Sequence, residues 1–181
     1  MSQGAQRPSV TAGILAAPPR LGRTRLVAID GPSGSGKSVF AAALRDELGA
    51  TLISTDDFAI WDDPVSWWPR LVDGVLTPIA AGRPGRYRKT EWTDGRPHPG
   101  AHVDVVVPGV LLVEGVSSGR RSVRPHLSYL IWCEHPDPAA RLARAVARDG
   151  AASRASLLTW QAFESGWFAV DGTKEAADHS R

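Results

Sequence analysis

Four short apolar runs predict the strands of a buried sheet. They cover residues 26–30, 51–54, 110–114 and 129–133, and none of them alternates apolar with polar residues along its length. Continuous runs of this length are typical of strands that are covered on both faces. Helical patterns separate the runs, which indicates a parallel sheet between two layers of helices.

Three stretches have the features of long helices. The first, Val39–Leu48, is rich in Ala and is followed by Gly49, a residue type that commonly ends a helix. The second, Asp137–Asp149, begins with Asp-Pro, where Pro138 lacks an N–H group at a position that needs none. The third is Ser153–Phe168.

Residues 59–108 separate the second strand from the third and are predicted to form an insertion. Apolar residues recur at helical spacing from Trp67 to Ala81, but Gly74 and Pro78 interrupt the pattern and favour two short helices. Residues 82–100 are rich in Gly, Pro and Arg and indicate an irregular or hairpin segment, with a strand at residues 103–107.

The first 24 residues differ in character from the rest of the chain. They mix Gly, Pro, Arg and Ser around one apolar patch, Val10–Ala17, which Pro18 and Pro19 end. This composition predicts a mobile N-terminal tail with room for one short docked helix. Residues 25–181 then form a single domain, which suits their length.

Composition excludes several classes of protein. The formal net charge is only +2, and Lys occurs only at positions 37, 89 and 174, a balance that does not favour nucleic-acid binding. Cys133 is the single cysteine, so neither a disulfide framework nor a cysteine metal cluster is expected. No apolar run approaches the ~18 residues of a membrane span, and no secretion signal is visible. We therefore expect a cytoplasmic protein, and its oligomeric state stays open.

A glycine-rich segment, Gly31–Ser38, supplies the clearest chemical signal. Its sequence GPSGSGKS has the spacing of a phosphate-binding loop, and it lies between a predicted strand and a predicted helix. Such a loop turns backbone N–H groups inward, and the helix N-terminus adds partial positive charge. Lys37 is expected to reach the β- and γ-phosphates, and the Ser38 hydroxyl to bind Mg²⁺. The residues predicted to bind ATP are Gly31, Ser33, Gly34, Ser35, Gly36, Lys37, Ser38 and Val39, together with Arg154.

Acidic residues follow the next two strands, at the sheet edge where ligands bind in such folds. After the second strand, Asp56 is the favoured catalytic base for a substrate hydroxyl, with Asp57 as a helper or structural acid. A cap or turn role is the alternative for this pair. After the third strand, Glu114 is expected to hold Mg²⁺ together with Ser38.

An arginine-rich helix offers cations for a transferring phosphoryl group. Arg141, Arg144 and Arg148 lie at steps of three and four, which places them on one helix face, and Arg154 follows the turn at Gly150. We predict that residues 141–155 form a mobile lid in which Arg144 and Arg148 act in catalysis. The alternative is a solvated face paired with neighbouring aspartates.

Seven tryptophans are many for this length, and four of them lie in the predicted insertion, Trp61, Trp67, Trp68 and Trp92. They could stack on a ring of the substrate or form a small accessory core. The sequence favours neither alternative over the other.

Assembled, these motifs resemble the uridine kinase and phosphoribulokinase branch of the P-loop kinases over about residues 24–178. The resemblance rests on the segments Ile53–Phe58, Trp61–Pro64, Leu112–Gly115 and Arg141–Asp149. It implies a three-layer α/β/α P-loop NTPase fold with strand order 2-3-1-4. It also implies that Asp56 is the base and that Asp62 holds sugar hydroxyls, although an Asx turn before Pro64 is the alternative for Asp62 and Asp63.

The resemblance further implies a kinase that moves the γ-phosphoryl group of ATP to a hydroxyl of a small molecule. Its predicted substrate-binding residues are Asp57, Phe58, Asp62, Tyr87, Glu91 and Trp92, which places the insertion on the substrate side. Ala59 replaces the aromatic residue that usually follows Phe58. A kinase for a non-nucleoside alcohol, such as a sugar, a vitamin precursor or an antibiotic, is therefore one alternative. A nucleotide-binding protein without kinase activity is the other. The fifth strand that usually closes such sheets is expected to be missing.

Overall fold

A parallel sheet forms the centre of the protein. The computed structural model describes residues 9–93 and 96–181, and within them the sheet has five strands in the order β2-β5-β1-β6-β7. These strands are β1 (Arg25–Asp30), β2 (Thr51–Ser54), β5 (Val110–Glu114), β6 (Leu127–Trp132) and β7 (His179–Ser180). The α/β fold class is confirmed. The four predicted core strands correspond to β1, β2, β5 and β6, and their predicted order is confirmed as β2-β5-β1-β6.

The short strand β7 corrects the expectation that the fifth strand is missing. Ile131 of β6 pairs with His179, and Trp132 pairs with Ser180, both in parallel register. The Arg181 amide extends the pairing by donating to the Trp132 carbonyl at 3.0 Å. Two polar residues carry no apolar pattern, so the sequence gives no sign of this strand. It covers part of the edge that β6 would otherwise expose.

Helices cover both faces of the sheet because successive residues of each strand point to opposite sides. On one face, Val27 and Ile29 of β1 pack with α1 (Val10–Ala16) and α2 (Lys37–Leu48). On the other face, Leu26 and Ala28 join a larger core. The buried inner strands therefore give the sequence its continuous apolar runs.

The second core contains a helical stretch that the sequence divides wrongly. Helix α3 (Trp68–Leu71), a π-helical turn (Val72–Leu76) and α4 (Thr77–Ala80) follow one another without a break. The wide turn is closed by a hydrogen bond from the Thr77 amide to the Val72 carbonyl. The wide turn shifts the hydrogen-bond pattern by one residue just before Pro78. The helical stretch therefore continues through the proline. The prediction of two separate helices is therefore wrong.

A hairpin beside the sheet completes the insertion. Strands β3 (Gly85–Thr93) and β4 (Arg96–Val105) pair antiparallel, with a register shift between Arg88 and Thr90. Gly74 allows this hairpin to approach the π-helical turn, because a Cβ atom there would lie 2.6 Å from the Arg86 carbonyl oxygen. The hairpin prediction for this segment is confirmed.

Two long helices follow β6. Helix α5 (Pro138–Asp149) begins at Asp137, whose side chain accepts hydrogen bonds from the amides of Ala139 at 2.8 Å and Ala140 at 3.2 Å. Helix α6 (Arg154–Asp171) is longer than predicted and ends at Gly172 in the left-handed conformation. None of the described helices is long and apolar enough to span a bilayer.

The N-terminal segment carries the short helix for which the sequence left room. Ser9 caps α1 by accepting a hydrogen bond from the Ala12 amide at 3.1 Å, and Ile14 is fully buried against the core. The Ala17 carbonyl accepts from Arg25 Nε at 2.8 Å, which ties the end of this segment to β1. The division into a tail and a domain stays a prediction.

Candidate functional site

The loop Gly31–Ser38 joins β1 to α2 and packs tightly against its neighbours. Gly31 has φ +140°, and a Cβ atom there would lie 2.0 Å from the Cys133 carbonyl oxygen. Gly34 has φ +76°, and a Cβ atom there would lie 2.5 Å from the Arg141 carbonyl oxygen. Only glycine satisfies both the backbone angle and the space at these two positions. The loop is therefore held between β6 and α5.

Two polar side chains of the loop have the character that a phosphate site requires. Lys37 is buried, with 7% of its surface exposed, and its ammonium group donates a hydrogen bond to the Pro32 carbonyl at 2.9 Å. The Ser35 hydroxyl is buried and has no hydrogen-bond partner among the described residues. A buried hydroxyl without a partner is costly. The loop therefore offers both a cation and a spare donor to an anionic ligand.

Ser38, Ser54 and Glu114 bring the ends of three elements together. The Ser38 hydroxyl lies 3.4 and 3.3 Å from the two carboxylate oxygens of Glu114, and the Ser54 hydroxyl donates to Oε1 at 2.7 Å. Burial raises the pKa of Glu114, and the negative charge of Asp56 raises it further, while the Ser54 hydrogen bond and the charge of Lys37 lower it. A bound cation would favour the ionised carboxylate here.

The donor set at this point fits Mg²⁺. Hydroxyl and carboxylate oxygens are hard ligands, and Mg²⁺ typically takes one or two of them and completes its shell with substrate phosphates and water. Within the described residues, no group of three or more His, Cys, Asp and Glu side chains could hold a metal ion by itself. Ser38 and Glu114 are therefore a partial shell of the kind that nucleotide sites use.

Asp56 lies at the exposed end of this cluster. It belongs to a short 3₁₀ turn, Thr55–Asp57, and its amide donates to the Ser54 hydroxyl at 3.3 Å. Ser54 therefore contacts both Asp56 and Glu114. The Asp56 carboxylate is exposed and makes no side-chain hydrogen bond or ion pair within the described part of the chain. It is available to a ligand.

Asp57, by contrast, is held by the hairpin. Its Oδ2 accepts a hydrogen bond from the Tyr87 hydroxyl at 2.6 Å, and its Oδ1 lies 3.4 Å from the Lys89 ammonium group. Burial raises the pKa of Tyr87, and the contact with Asp57 raises it further. The structure therefore leaves the Asp56 carboxylate exposed and ties Asp57 to the hairpin, and the roles of base and helper stay predictions.

Phe58 packs behind the acid pair. Its ring is 1% exposed and stacks on Trp67 at 5.1 Å and on Tyr87 at 4.8 Å between centroids. Its burial gives Phe58 a packing role in this structure. The aromatic cluster therefore fixes the position at which the hairpin meets the turn after β2.

The remaining predicted substrate residues are spread over the insertion. Asp62 is exposed, while Asp63 accepts a hydrogen bond from the Ser66 amide at 2.7 Å, which holds the backbone across Pro64. Glu91 is also exposed, and its Oε1 accepts from the Ala101 amide of the facing strand at 3.1 Å. Within residues 9–93 and 96–181, neither Asp62 nor Glu91 forms a hydrogen bond or an ion pair with the acid pair.

The tryptophans of the insertion lie in two different settings. Trp61 packs edge-on against Trp92 at 5.6 Å and against Trp160 of α6 at 6.0 Å, and both Trp61 and Trp92 are partly exposed. Trp67 instead belongs to the larger core beside the sheet, and Trp68 packs against that core. They pack beside the buried Arg120 guanidinium, whose carbon lies 4.4 Å from the Trp68 ring centroid.

The predicted lid arginines occupy three different settings. Arg144 donates to the Gly34 carbonyl of the loop at 3.3 Å and to His135 at 3.0 Å. Arg148 binds its neighbour Asp149 through two hydrogen bonds of 2.6 and 2.7 Å, as the solvated alternative expected. That pairing raises the pKa of Arg148, and the negative charges of Asp56 and Glu114 also raise it. Arg154 is exposed, and its side chain forms no hydrogen bond or ion pair with the site among the described residues.

Sequence reasoning missed Asp30, which lies directly before the loop. Asp30 is fully buried and accepts hydrogen bonds from the amides of Gly31 at 2.7 Å, Ser117 at 3.1 Å and Gly119 at 2.8 Å. Burial raises its pKa to about 7, although these hydrogen bonds and the charge of Lys37 oppose the shift. The sequence feature that could have identified Asp30 is its position as a single acidic residue at the end of the apolar run Leu26–Ile29.

Sequence reasoning also missed Glu164 of α6. Its carboxylate accepts from the Ser33 amide at 3.1 and 3.0 Å and from the Ser33 hydroxyl, and the residue is 1% exposed. Arg141 Nη1 lies 3.9 Å from Oε2. The signal was an acidic residue surrounded by Trp160, Phe163 and Trp167 along the helix.

Comparisons with known proteins locate this fold among P-loop kinases. No protein-family model matches the sequence, and no curated protein matches it significantly. A provisionally assigned uridine kinase from Bacillus stearothermophilus is 16% identical with a TM-score of 0.68, and 94% of each chain is covered. A provisionally assigned fructose transport system kinase from Silicibacter sp. TM1040 is 22% identical with a TM-score of 0.63, with 94% of this chain and 96% of that chain covered.

A more distant likeness is to D-glycerate 3-kinase from Cryptococcus neoformans var. grubii. It is 12% identical with a TM-score of 0.52, and 70% of this chain and 69% of that chain are covered. Together these likenesses show the fold. The chain has the uridine kinase-like P-loop kinase fold that the motifs predicted.

Proposed function

We propose that the protein is a phosphotransferase that moves the γ-phosphoryl group of ATP to a hydroxyl group of a small molecule, with Mg²⁺ as cofactor. The observation that carries this proposal is the contact chain from Ser38 through Glu114 and Ser54 to Asp56. It links the phosphate loop, a partial metal shell and an exposed carboxylate at one edge of the sheet. Phosphoryl transfer to an alcohol needs these groups side by side.

The nucleotide side of the reaction is assigned to the loop and its neighbours. The loop amides and Lys37 bind the phosphates, while Ser38 and Glu114 hold Mg²⁺. When bound, Mg²⁺ neutralises charge on the phosphate oxygens. Arg144, which already contacts the Gly34 carbonyl, and the nearby Arg148 steady the charge of the transferring group. Arg154 joins them when the lid moves.

The acceptor side is assigned to the acid pair and the hairpin. Asp56 orients the acceptor hydroxyl and takes its proton, a role that needs a carboxylate free of other partners. Asp57 keeps its place through Tyr87 and Lys89 and contributes to acceptor binding. Trp61 and Trp92 offer exposed indole surface beside this region, which suits a ring or the apolar face of a sugar.

An acceptor screen tests the proposal. Nucleosides, hexoses and hydroxy acids such as glycerate are each incubated with the protein, ATP and Mg²⁺, and ADP release is measured. We expect one class to raise ADP release well above background, and we expect Asp56→Asn to remove that stimulation by roughly 10²-fold or more. Asp73→Asn, which changes an exposed acid of the insertion, is the matched control. ATP binding without stimulation by any acceptor would favour a nucleotide-binding protein that is not a kinase.

A further inference from the structure

Glu164 is a buried carboxylate that contacts the phosphate loop from α6. Both of its oxygens lie within hydrogen-bond distance of the Ser33 amide, and the Ser33 hydroxyl donates to Oε1. The loop motif itself contains no residue that requires such a partner. The contact spans 131 positions of the sequence, so it is a product of the fold.

The chemistry of this contact shows that it is more than close packing. A carboxylate removed from water is strongly destabilising unless donors compensate its charge. Glu164 is 1% exposed, and Ser33 supplies both an N–H and an O–H donor, with Arg141 nearby at 3.9 Å. An apolar side chain at this position would avoid the desolvation cost of a buried carboxylate. We therefore attribute the presence of an acidic group here to its hydrogen bonds with Ser33.

The same turn of the loop is held from α5. Arg141 Nη1 donates to the Ser33 carbonyl at 3.4 Å, and Arg144 Nη1 donates to the Gly34 carbonyl at 3.3 Å. Gln161 of α6 donates to the Pro138 carbonyl at 3.3 Å, which joins the two helices to each other. The amide of Ser33 is therefore fixed by α6, and the carbonyl groups of Ser33 and Gly34 are fixed by α5.

We propose that Glu164 is a positioning residue for the phosphate loop. It fixes the orientation of the Ser33 peptide, and thereby the first turn of the loop, in the form that receives the phosphates of ATP. The inference rests on the proposed function, because it concerns how that site binds its nucleotide. It assigns Glu164 no contact with the substrate or with the reacting atoms.

The test separates nucleotide binding from acceptor binding and from folding. Dissociation constants for ATP with Mg²⁺ are measured by calorimetry for the wild-type protein, Glu164→Gln and Glu164→Asp, together with thermal stability and the acceptor KM. The Gln side chain keeps the shape but presents only one acceptor oxygen to Ser33. We expect Glu164→Gln to weaken ATP binding roughly 10- to 100-fold, with an unchanged acceptor KM and partial recovery in Glu164→Asp. Glu175→Gln, at an exposed position, is the matched control.

Ser33→Ala provides a second variant if Glu164→Gln does not fold. It removes the hydroxyl but keeps the amide, so we expect a roughly three- to ten-fold loss of ATP affinity. That loss is expected to disappear when Ser33→Ala is combined with Glu164→Gln, because the two groups act through one contact. An equal loss in both backgrounds, or no loss in Ser33→Ala, would overturn the proposal.

Two further outcomes are decisive. Tighter ATP binding by Glu164→Gln would overturn the positioning role, because it would show that the carboxylate competes with the phosphates. Unchanged affinity in that variant would also overturn it and leave the proposed function intact. Failure of the wild-type protein to bind ATP would overturn the proposed function together with this inference.

Discussion

The two halves of the candidate site are built in different ways. The nucleotide side comprises the loop Gly31–Ser38 with Ser54 and Glu114, and its groups lie at the carboxyl ends of neighbouring strands. The acceptor side comprises Asp57, Tyr87 and Lys89 with the indoles of Trp61 and Trp92, and it depends on a hairpin outside the sheet. The sheet therefore fixes the groups for phosphate chemistry, and an added element supports the acceptor site.

This difference predicts that the two sides can be changed independently. On the nucleotide side, β1 and β5 pair over five positions, so the loop and Glu114 share one rigid register. On the acceptor side, the link between hairpin and sheet edge runs through side chains, namely the contacts of Tyr87 with Asp57 and Phe58. Side-chain contacts can be exchanged without moving the strands.

The largest expected effect is on the nucleotide side. Lys37→Ala removes a buried cation that faces the phosphates, so we expect phosphate transfer to fall about 10³-fold while acceptor affinity stays unchanged. Turnover and acceptor binding are measured separately. Lys174→Ala, which removes an exposed lysine paired with Glu134, is the control. Comparable damage from both variants would contradict the role assigned to Lys37.

An intermediate effect is expected behind the loop, where Asp30 titrates. Its native pKa of about 7 exceeds the ordinary aspartate value of 3.8, so the native state binds this proton more tightly than the unfolded state does. Its contribution to stability is present at acidic pH and is lost as pH rises from about 4 through 7. We therefore expect the stability advantage of the wild-type protein over Asp30→Asn to shrink by about 2 kcal/mol between pH 5 and pH 8.

Chemical unfolding of both proteins across this pH range measures the difference directly. Other titrating groups are common to the two proteins and cancel in the comparison. A constant difference between wild type and Asp30→Asn at every pH would show that Asp30 keeps an ordinary pKa. The nucleotide side would then lack the buried acid–base group that distinguishes it from the acceptor side.

The smallest expected effect is on the acceptor side. Tyr87→Phe removes the hydroxyl that donates to Asp57 at 2.6 Å but keeps the ring that stacks on Phe58. We expect the acceptor KM to rise roughly ten-fold, because the ionised Asp57 loses a hydrogen bond, while the KM for ATP stays unchanged. Steady-state kinetics with each substrate varied in turn provide the measurement. A matching rise in the KM for ATP would mean that the two sides are not independent.

The parts of the site that the sequence predicted are those in which each group directly follows a strand in the sequence. The glycine loop, the acids after β2 and the glutamate after β5 each adjoin an apolar strand, so local pattern and topology place them together. Continuous apolar runs likewise indicated a parallel sheet that is covered on both faces. These inferences needed only local sequence and general rules of parallel sheets, whereas the strand order came from the resemblance to a known kinase family.

The parts that escaped prediction depend on contacts between distant residues. Ser33, the partner of Glu164, and two of the three partners of Asp30, Ser117 and Gly119, lie in distant segments, and nothing in the neighbouring sequence identifies them. Strand β7 is too short and too polar to form a pattern, and the π-helical turn depends on how Gly74 packs against the hairpin. The pairing of Arg148 with Asp149 was one of two alternatives, and the sequence pattern alone did not decide between them.

The packing of Trp61 against Trp92 and Trp160 has a practical consequence for optical work. The three indoles come from the turn after β2, from the hairpin and from α6, and the Trp61 ring lies 5.6 Å from Trp92 and 6.0 Å from Trp160 between centroids. Indole fluorescence depends on ring contacts and on access of water to the ring. Any relative movement of α6 and the hairpin would therefore change the emission of the unlabelled protein, so such movement can be timed in a stopped-flow instrument.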